Sequence, residues 1–263
     1  MSFIKKTLAS FGVGSARVDS ILQQEFLVPG ETVPVAIEVY GGATAQDIDT
    51  IELKLCCQYI DEEFENKEGD RHGRKRKVKR TFTLARWTLP NAFTIQPGEQ
   101  RNFQAEIEVP WNTPVTISDA KVWLETGLDI SMAVDPTDKD ILTVRPDPLA
   151  DGVLSALEEE GLRIRRVECE ACDGFPMPFV QAFEFVPTTG PFHGRWRELE
   201  IITFRHGERL DIWFEIDRQK QGMTGLLSGL LGTGKLHRQL PIPADTAPDK
   251  AGKMVLEYLD ACE

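Results

Sequence analysis

Between residues 33 and 39 the chain alternates, with Val33, Val35, Ile37 and Val39 separated by Pro34, Ala36 and Glu38. A period of two puts the four apolar side chains on one face of a strand, and Gly41-Gly42 ends the run. The strand is introduced by Val28-Pro29-Gly30-Glu31. Proline there presets φ at the first central position and glycine accepts a positive φ at the second, which is type II turn chemistry. A second alternation follows at Ile51, Leu53, Leu55, Cys57 and Tyr59, with Glu52, Lys54, Cys56 and Gln58 facing the other way. Pro97-Gly98-Glu99 repeats the turn ahead of Phe103, Ala105, Ile107 and Val109, and residues 122–124 and 141–144 supply later strands.

Arg145-Pro146-Asp147-Pro148 breaks this pattern and is expected to be a linker. Beyond it Val153, Leu154, Leu157 and Leu162 take helical spacing, with Asp151 placed to cap the helix and Gly161 to stop it. Strands are predicted over 162–167, 179–186, 198–205, 209–216 and 236–242. Val255, Leu259 and Cys262 mark a terminal helix behind Pro248, and Ile4, Leu8 and Phe11 mark a short one at the start. The sum is an all-β chain of two β-sandwich domains with short N-terminal, linker and C-terminal helices. The first domain is expected over 1–147, the second over 148–243, and a helical tail over 244–263.

A length of 263 residues suits two such domains. The formal charge of −12 argues against a general nucleic-acid binder, whose affinity rests on neutralising phosphates, so no nucleic-acid partner is expected. Five cysteines form no disulfide framework, and no apolar run approaches the roughly 20 residues of a transmembrane segment. Residues 7–15 are too polar and glycine-rich for a signal peptide. A reduced, cytoplasmic protein is the expectation, with peripheral attachment to a membrane as a variant of it.

Several segments together carry a family likeness. They are Met1-Ser-Phe-Ile-Lys-Lys6, Ala16-Arg-Val-Asp19, the Pro29-Gly-Glu31 and Tyr40-Gly-Gly42 signals, Trp123-Leu-Glu-Thr-Gly-Leu-Asp-Ile130, Val134-Asp-Pro-Thr-Asp-Lys-Asp140 and Pro178-Phe-Val-Gln-Ala-Phe-Glu-Phe185. In them the chain resembles the bacterial stage-0 sporulation-control protein M family. The resemblance implies an arrestin-like fold of two β-sandwiches and a non-enzymatic adaptor or regulatory protein that acts through protein–protein contacts. It carries over no catalytic motif and no cofactor.

The candidate chemistry is sparse. Gly229-Leu-Leu-Gly-Thr-Gly-Lys235 follows a phosphate-binding loop for seven positions, but Leu236 stands where a magnesium-binding Ser or Thr belongs, and Pro241 forbids the helix that should follow. Cys169 and Cys172 have zinc-ligand spacing without a second ligand pair. Asp135, Asp138 and Asp140 lack the calcium-loop register and are expected to be turn formers. No serine sits in a nucleophile elbow. The rival to an adaptor is a ligand-binding or hydrolytic β-sandwich with a cleft lined by tryptophans, drawn from Trp87, Trp111, Trp123, Trp196 and Trp213.

Two segments stand out as partner contacts. Arg71, Arg74, Lys75, Arg76, Lys77, Lys79 and Arg80 place seven cations within ten residues of an acidic chain. They are expected at a hairpin tip or edge. There they either discourage strand pairing or meet an acidic or phosphorylated partner, or the acidic surface of a second copy in a homodimer. Leu226, Leu227, Leu230 and Leu231 lie among glycines and either fold back on the core or form an exposed apolar contact with protein or membrane. As an exposed contact, changing Leu226 and Leu230 to serine leaves the melting temperature nearly unchanged and weakens liposome or partner association. If these leucines are core instead, each truncation costs about 2–5 kcal/mol in a thermal melt.

Overall fold

The computed structural model describes residues 14–65, 74–90, 92–130, 135–216 and 239–261. The expected N-terminal helix lies outside that set. The chain divides into two compact units, one of residues 1–57, 81–116 and 121–145, the other of 58–80, 117–120 and 146–263.

In the first unit β1 (Arg17–Leu22), β2 (Thr32–Tyr40) and β6 (Gln100–Glu108) form a three-stranded antiparallel sheet in the order β1-β2-β6. Val33, Val35, Ile37 and Val39 are wholly buried on its inner face, as their alternation requires. The opposing layer contains the first part of β3 (Gln46–Glu65), with β5 (Phe93–Ile95) and β7 (Val122–Ile130) paired to it and β8 (Thr137–Leu142) paired to β7. Ile51, Leu53, Leu55 and Leu124 are wholly buried there. Cys56 faces the other side of β3, its Sγ 3.7 Å from Thr83 Oγ1 on β4 (Arg74–Leu89). Gly30 serves its turn twice. Its φ is +86°, and a Cβ at that position would lie 2.3 Å from the ring of Trp111, which covers the turn.

In the second unit β9 (Leu162–Ala171), β10 (Phe179–Pro187), β11 (Leu199–His206), β12 (Arg209–Ile216) and β13 (Gln239–Pro243) run as an antiparallel meander. The end of β3 joins β9 in parallel at Ile60 and Glu170, and Tyr59 stacks on Phe179 at 5.2 Å. One face of the meander packs Val180, Ala182, Ile202, Phe204 and Trp213 under Cys172, with Phe175 and Met177 against them. On the other face Phe214 meets Tyr258 of α2 (Pro248–Asp260) at 5.2 Å.

The linker holds a correction. The first helix, α1 (Pro148–Glu159), begins at the second proline, and its cap is Asp147 rather than Asp151. Asp147 Oδ1 accepts from the backbone N–H of Leu149 at 3.0 Å and of Ala150 at 3.4 Å. Proline costs nothing at the first helical position, where the missing N–H would have no partner anyway. The two helices touch at a glycine of each: a Cβ on Gly152 would lie 2.4 Å from Pro248 O, and one on Gly252 would lie 2.6 Å from Ala156 Cβ. Gly152→Val therefore forces the helices apart and is expected to lower stability by about 1–3 kcal/mol in urea unfolding. An unchanged midpoint would show that the pair can separate freely.

Candidate functional site

From Arg74 to Arg80 the basic run is strand, and among the described residues that strand is an edge, the second of the two expected places. Arg74 to Arg80 open β4, which pairs with β3, so the cations stand opposite the acidic end of β3 that carries Asp61, Glu62, Glu63 and Glu65. Arg71 and the side chains of Arg74 and Lys75 lie outside the described residues, whereas Arg76, Lys77, Lys79 and Arg80 are described and exposed. Arg80 is committed to its neighbours, with Nε 2.5 Å from Asp61 and a terminal nitrogen 2.5 Å from Glu63. Lys77 reaches β9, where Nζ is 3.5 Å from Glu168 and 3.3 Å from Glu170. Among the described residues Arg76 and Lys79 have no acidic partner. The opposed charge of the segments flanking 66–73 is the sequence signal that foretells this pairing.

Glu168 and Glu170 share a site and titrate as a pair. Burial, with Glu168 beside it, pushes Glu170 up to about 7. Burial also works to raise Glu168, but the hydrogen bond from Glu170 and the adjacent Arg166 guanidinium outweigh it and hold that carboxyl low. Lys77 lies over both.

A second constellation lies in the first unit. Asp19 on β1 meets Asp138 and Asp140 on β8, one oxygen of each within 4.8 Å of the others. Ser20 Oγ donates to Asp140 Oδ2 at 3.0 Å. Burial and then the charge of Asp138 push Asp140 up to about 7. Of the three aspartates expected to form turns, Asp135 does so by accepting the Ile130 N–H at 3.1 Å. Asp138 and Asp140 are strand residues instead. Their partner, Asp19, is too far off in sequence for local turn chemistry to reveal it.

The two cysteines and three of the tryptophans occupy core positions. Cys169 and Cys172 are buried free thiols, and burial pushes them up to about 12 and about 11, so thiolate chemistry is suppressed at both. Trp196 stacks on Phe192 at 4.3 Å, Trp213 meets Phe175 edge-on at 5.3 Å, and Trp123 lies 3.7 Å beneath the Lys139 ammonium. These three rings are used in separate packing contacts rather than in one cleft. Leu226, Leu227, Leu230, Leu231 and the glycine-rich motif ending at Lys235 lie outside the described residues.

The family model Spo0M, described as SpoOM protein, matches residues 4–220. The chain belongs to the Spo0M family. It is 37% identical over 237 residues to the sporulation-control protein spo0M of Bacillus subtilis (strain 168), covering 89% of this chain and 88% of that one. It is also similar to the crystal structure of Spo0M from Bacillus subtilis, with a TM-score of 0.77 and 31% identity over 95% of this chain and 100% of that chain. Membership places the chain among bacterial sporulation-control proteins, and the all-β, arrestin-like class expected from the strand pattern and the resemblance holds.

The aspartate cluster generates a pH dependence. A carboxyl raised in the folded state binds its proton more tightly there than in the unfolded chain. Its stabilisation is fully present below about pH 4 and is lost as pH rises through about 7. Asp140→Asn mimics the protonated form, so its urea midpoint should fall less than that of the natural protein between about pH 5 and about pH 8. Equal falls would mean that Asp140 is ionised throughout.

Proposed function

We propose that this protein is a non-enzymatic, arrestin-like adaptor in sporulation control that recognises an acidic or phosphorylated protein through the basic strip of β4. The supporting observation is the division of labour along that strip. Lys77 and Arg80 are spent on Glu168, Glu170, Asp61 and Glu63, while Arg76 and Lys79 stand exposed without an acidic partner among the described residues. The paired cations hold the strand, and Arg76 and Lys79, three apart along it, stand exposed on its two faces. On a chain of net charge −12 such a strip acts as a local attractor in a repulsive field. The name of the Bacillus subtilis relative supplies the process, sporulation control. No described helix is long and apolar enough to cross a membrane, and the proposed site of action is the cytoplasm.

Capture from the native host with the full chain as bait identifies the partner. Arg76→Glu with Lys79→Glu is then expected to slow association about tenfold at low salt, abolish its salt dependence and barely alter the dissociation rate. Both side chains are exposed, so folding stability should stay within about 0.5 kcal/mol. Association that is equally fast in the double variant would remove the strip from recognition.

A further inference from the structure

β4 is 16 residues long and, among the described residues, pairs with β3 alone, so one of its edges presents backbone N–H and C=O groups with no strand beside them. Proteins normally blunt such an edge with short length, proline or charge. Other edges of this chain follow that rule. β13 carries Pro241 and Pro243, β8 carries Asp138, Lys139 and Asp140, and β5 is three residues long.

β4 follows it only over 74–80, where it is basic. Residues 81–89 read Thr-Phe-Thr-Leu-Ala-Arg-Trp-Thr-Leu, and their single charge, Arg86, is spent on Glu52 at 2.6 Å. Phe82, Leu84, Trp87 and Leu89 are half-buried and divided between the two faces of the strand. Aromatic and β-branched residues of this kind favour a further strand beside them. A long edge is thus charged at one end and open to pairing at the other.

We infer that the partner of the basic strip binds by adding a strand to the free edge of β4, with carboxylate or phosphate groups beside Arg76 and Lys79 and alternating apolar and β-branched residues beside 81–89. The binding mode rests on the role proposed above for the strip. Charge complementarity selects the occupant. A second copy of this chain would also cover 81–89, because two such segments can pair antiparallel with each other. Full pairing of that kind carries Arg76 and Lys79 past Leu89 of the other copy, where residues 90–95 contain no carboxylate, and leaves both cations unmet. A partner segment acidic at one end meets both. Arg76 and Lys79 are three apart and lie on opposite faces, so the two acidic residues of the segment stand three apart as well. In such a complex the main-chain hydrogen bonds supply affinity and the side chains supply selection.

Two synthetic peptides test the inference on the full chain. Each has a run of about eight alternating Val and Thr residues joined to Glu-Ser-Ser-Glu, at the C-terminal end in one and at the N-terminal end in the other, to suit an antiparallel or a parallel strand. One of the two is expected to bind, and the other about tenfold more weakly. N-methylation of every second residue removes the backbone donors from one edge of the peptide. Applied to the residues whose N–H groups face β4 it abolishes binding, whereas applied to the intervening residues it changes binding by less than about twofold. Equal effects of the two sets would overturn strand addition and leave the strip to act by charge alone. Binding that needs the amides of one set but is unchanged by Arg76→Glu with Lys79→Glu would remove the strip from recognition and overturn the acidic occupant. No binding by either peptide would overturn the inference as well. Sedimentation of the free chain provides a further arm. A dimer that the bound peptide dissociates would make the second copy the occupant of this edge and overturn the inference, whereas a monomer supports it.

Discussion

A carboxylate withdrawn from water must be met by a cation, a proton or well-placed donors, and the described structure is organised by how this chain meets that demand. With 42 acidic and 30 basic side chains, cations are in short supply. Glu184, 4% exposed, is met by Arg165, and Asp211, 1% exposed, by Arg209 at 3.0 Å and His206 at 3.7 Å. Asp147 is met by the first N–H groups of α1, with Arg205 at 4.0 Å. Glu170 has Lys77 and a share of a proton. Asp140 has a serine hydroxyl and a share of a proton.

Two clusters of like charge remain after this allocation. On β4 the internal demand takes Lys77 and Arg80 and leaves Arg76 and Lys79 facing solvent, so the strip is held in place by the ion pairs that reduce its charge. On β1 and β8 Asp19, Asp138 and Asp140 converge, and the two strand edges beside them form no ladder with each other. The two sites have opposite sign and lie in different units.

Much of the fold could be read directly from the chain, because alternation is a local property. Val33 to Val39 and Ile51 to Leu55 were assigned faces by their period of two, and the structure buries those apolar residues completely. The turn at Gly30 followed from its type II chemistry. Local pattern misled where a residue had two uses. Pro148 has the same effect on φ in a linker as at the first position of a helix, and only Asp147 ahead of it distinguishes the two. The sites were less legible, since the partners that define them are remote. Ser20 and Asp140 are 120 residues apart, and Lys77 and Glu170 are 93 apart. Strand register alone brings them together.

The titration of the Asp140 side-chain carboxyl in the folded protein, followed by carbon NMR, tests the central claim most directly. A midpoint near 7 in the folded chain, which falls toward the ordinary aspartate value when the protein is unfolded in urea, is the expected result. A midpoint near the usual value of about 3.9 in the free chain would contradict it, because the aspartate cluster would then be a solvated surface with no unmet demand for a cation.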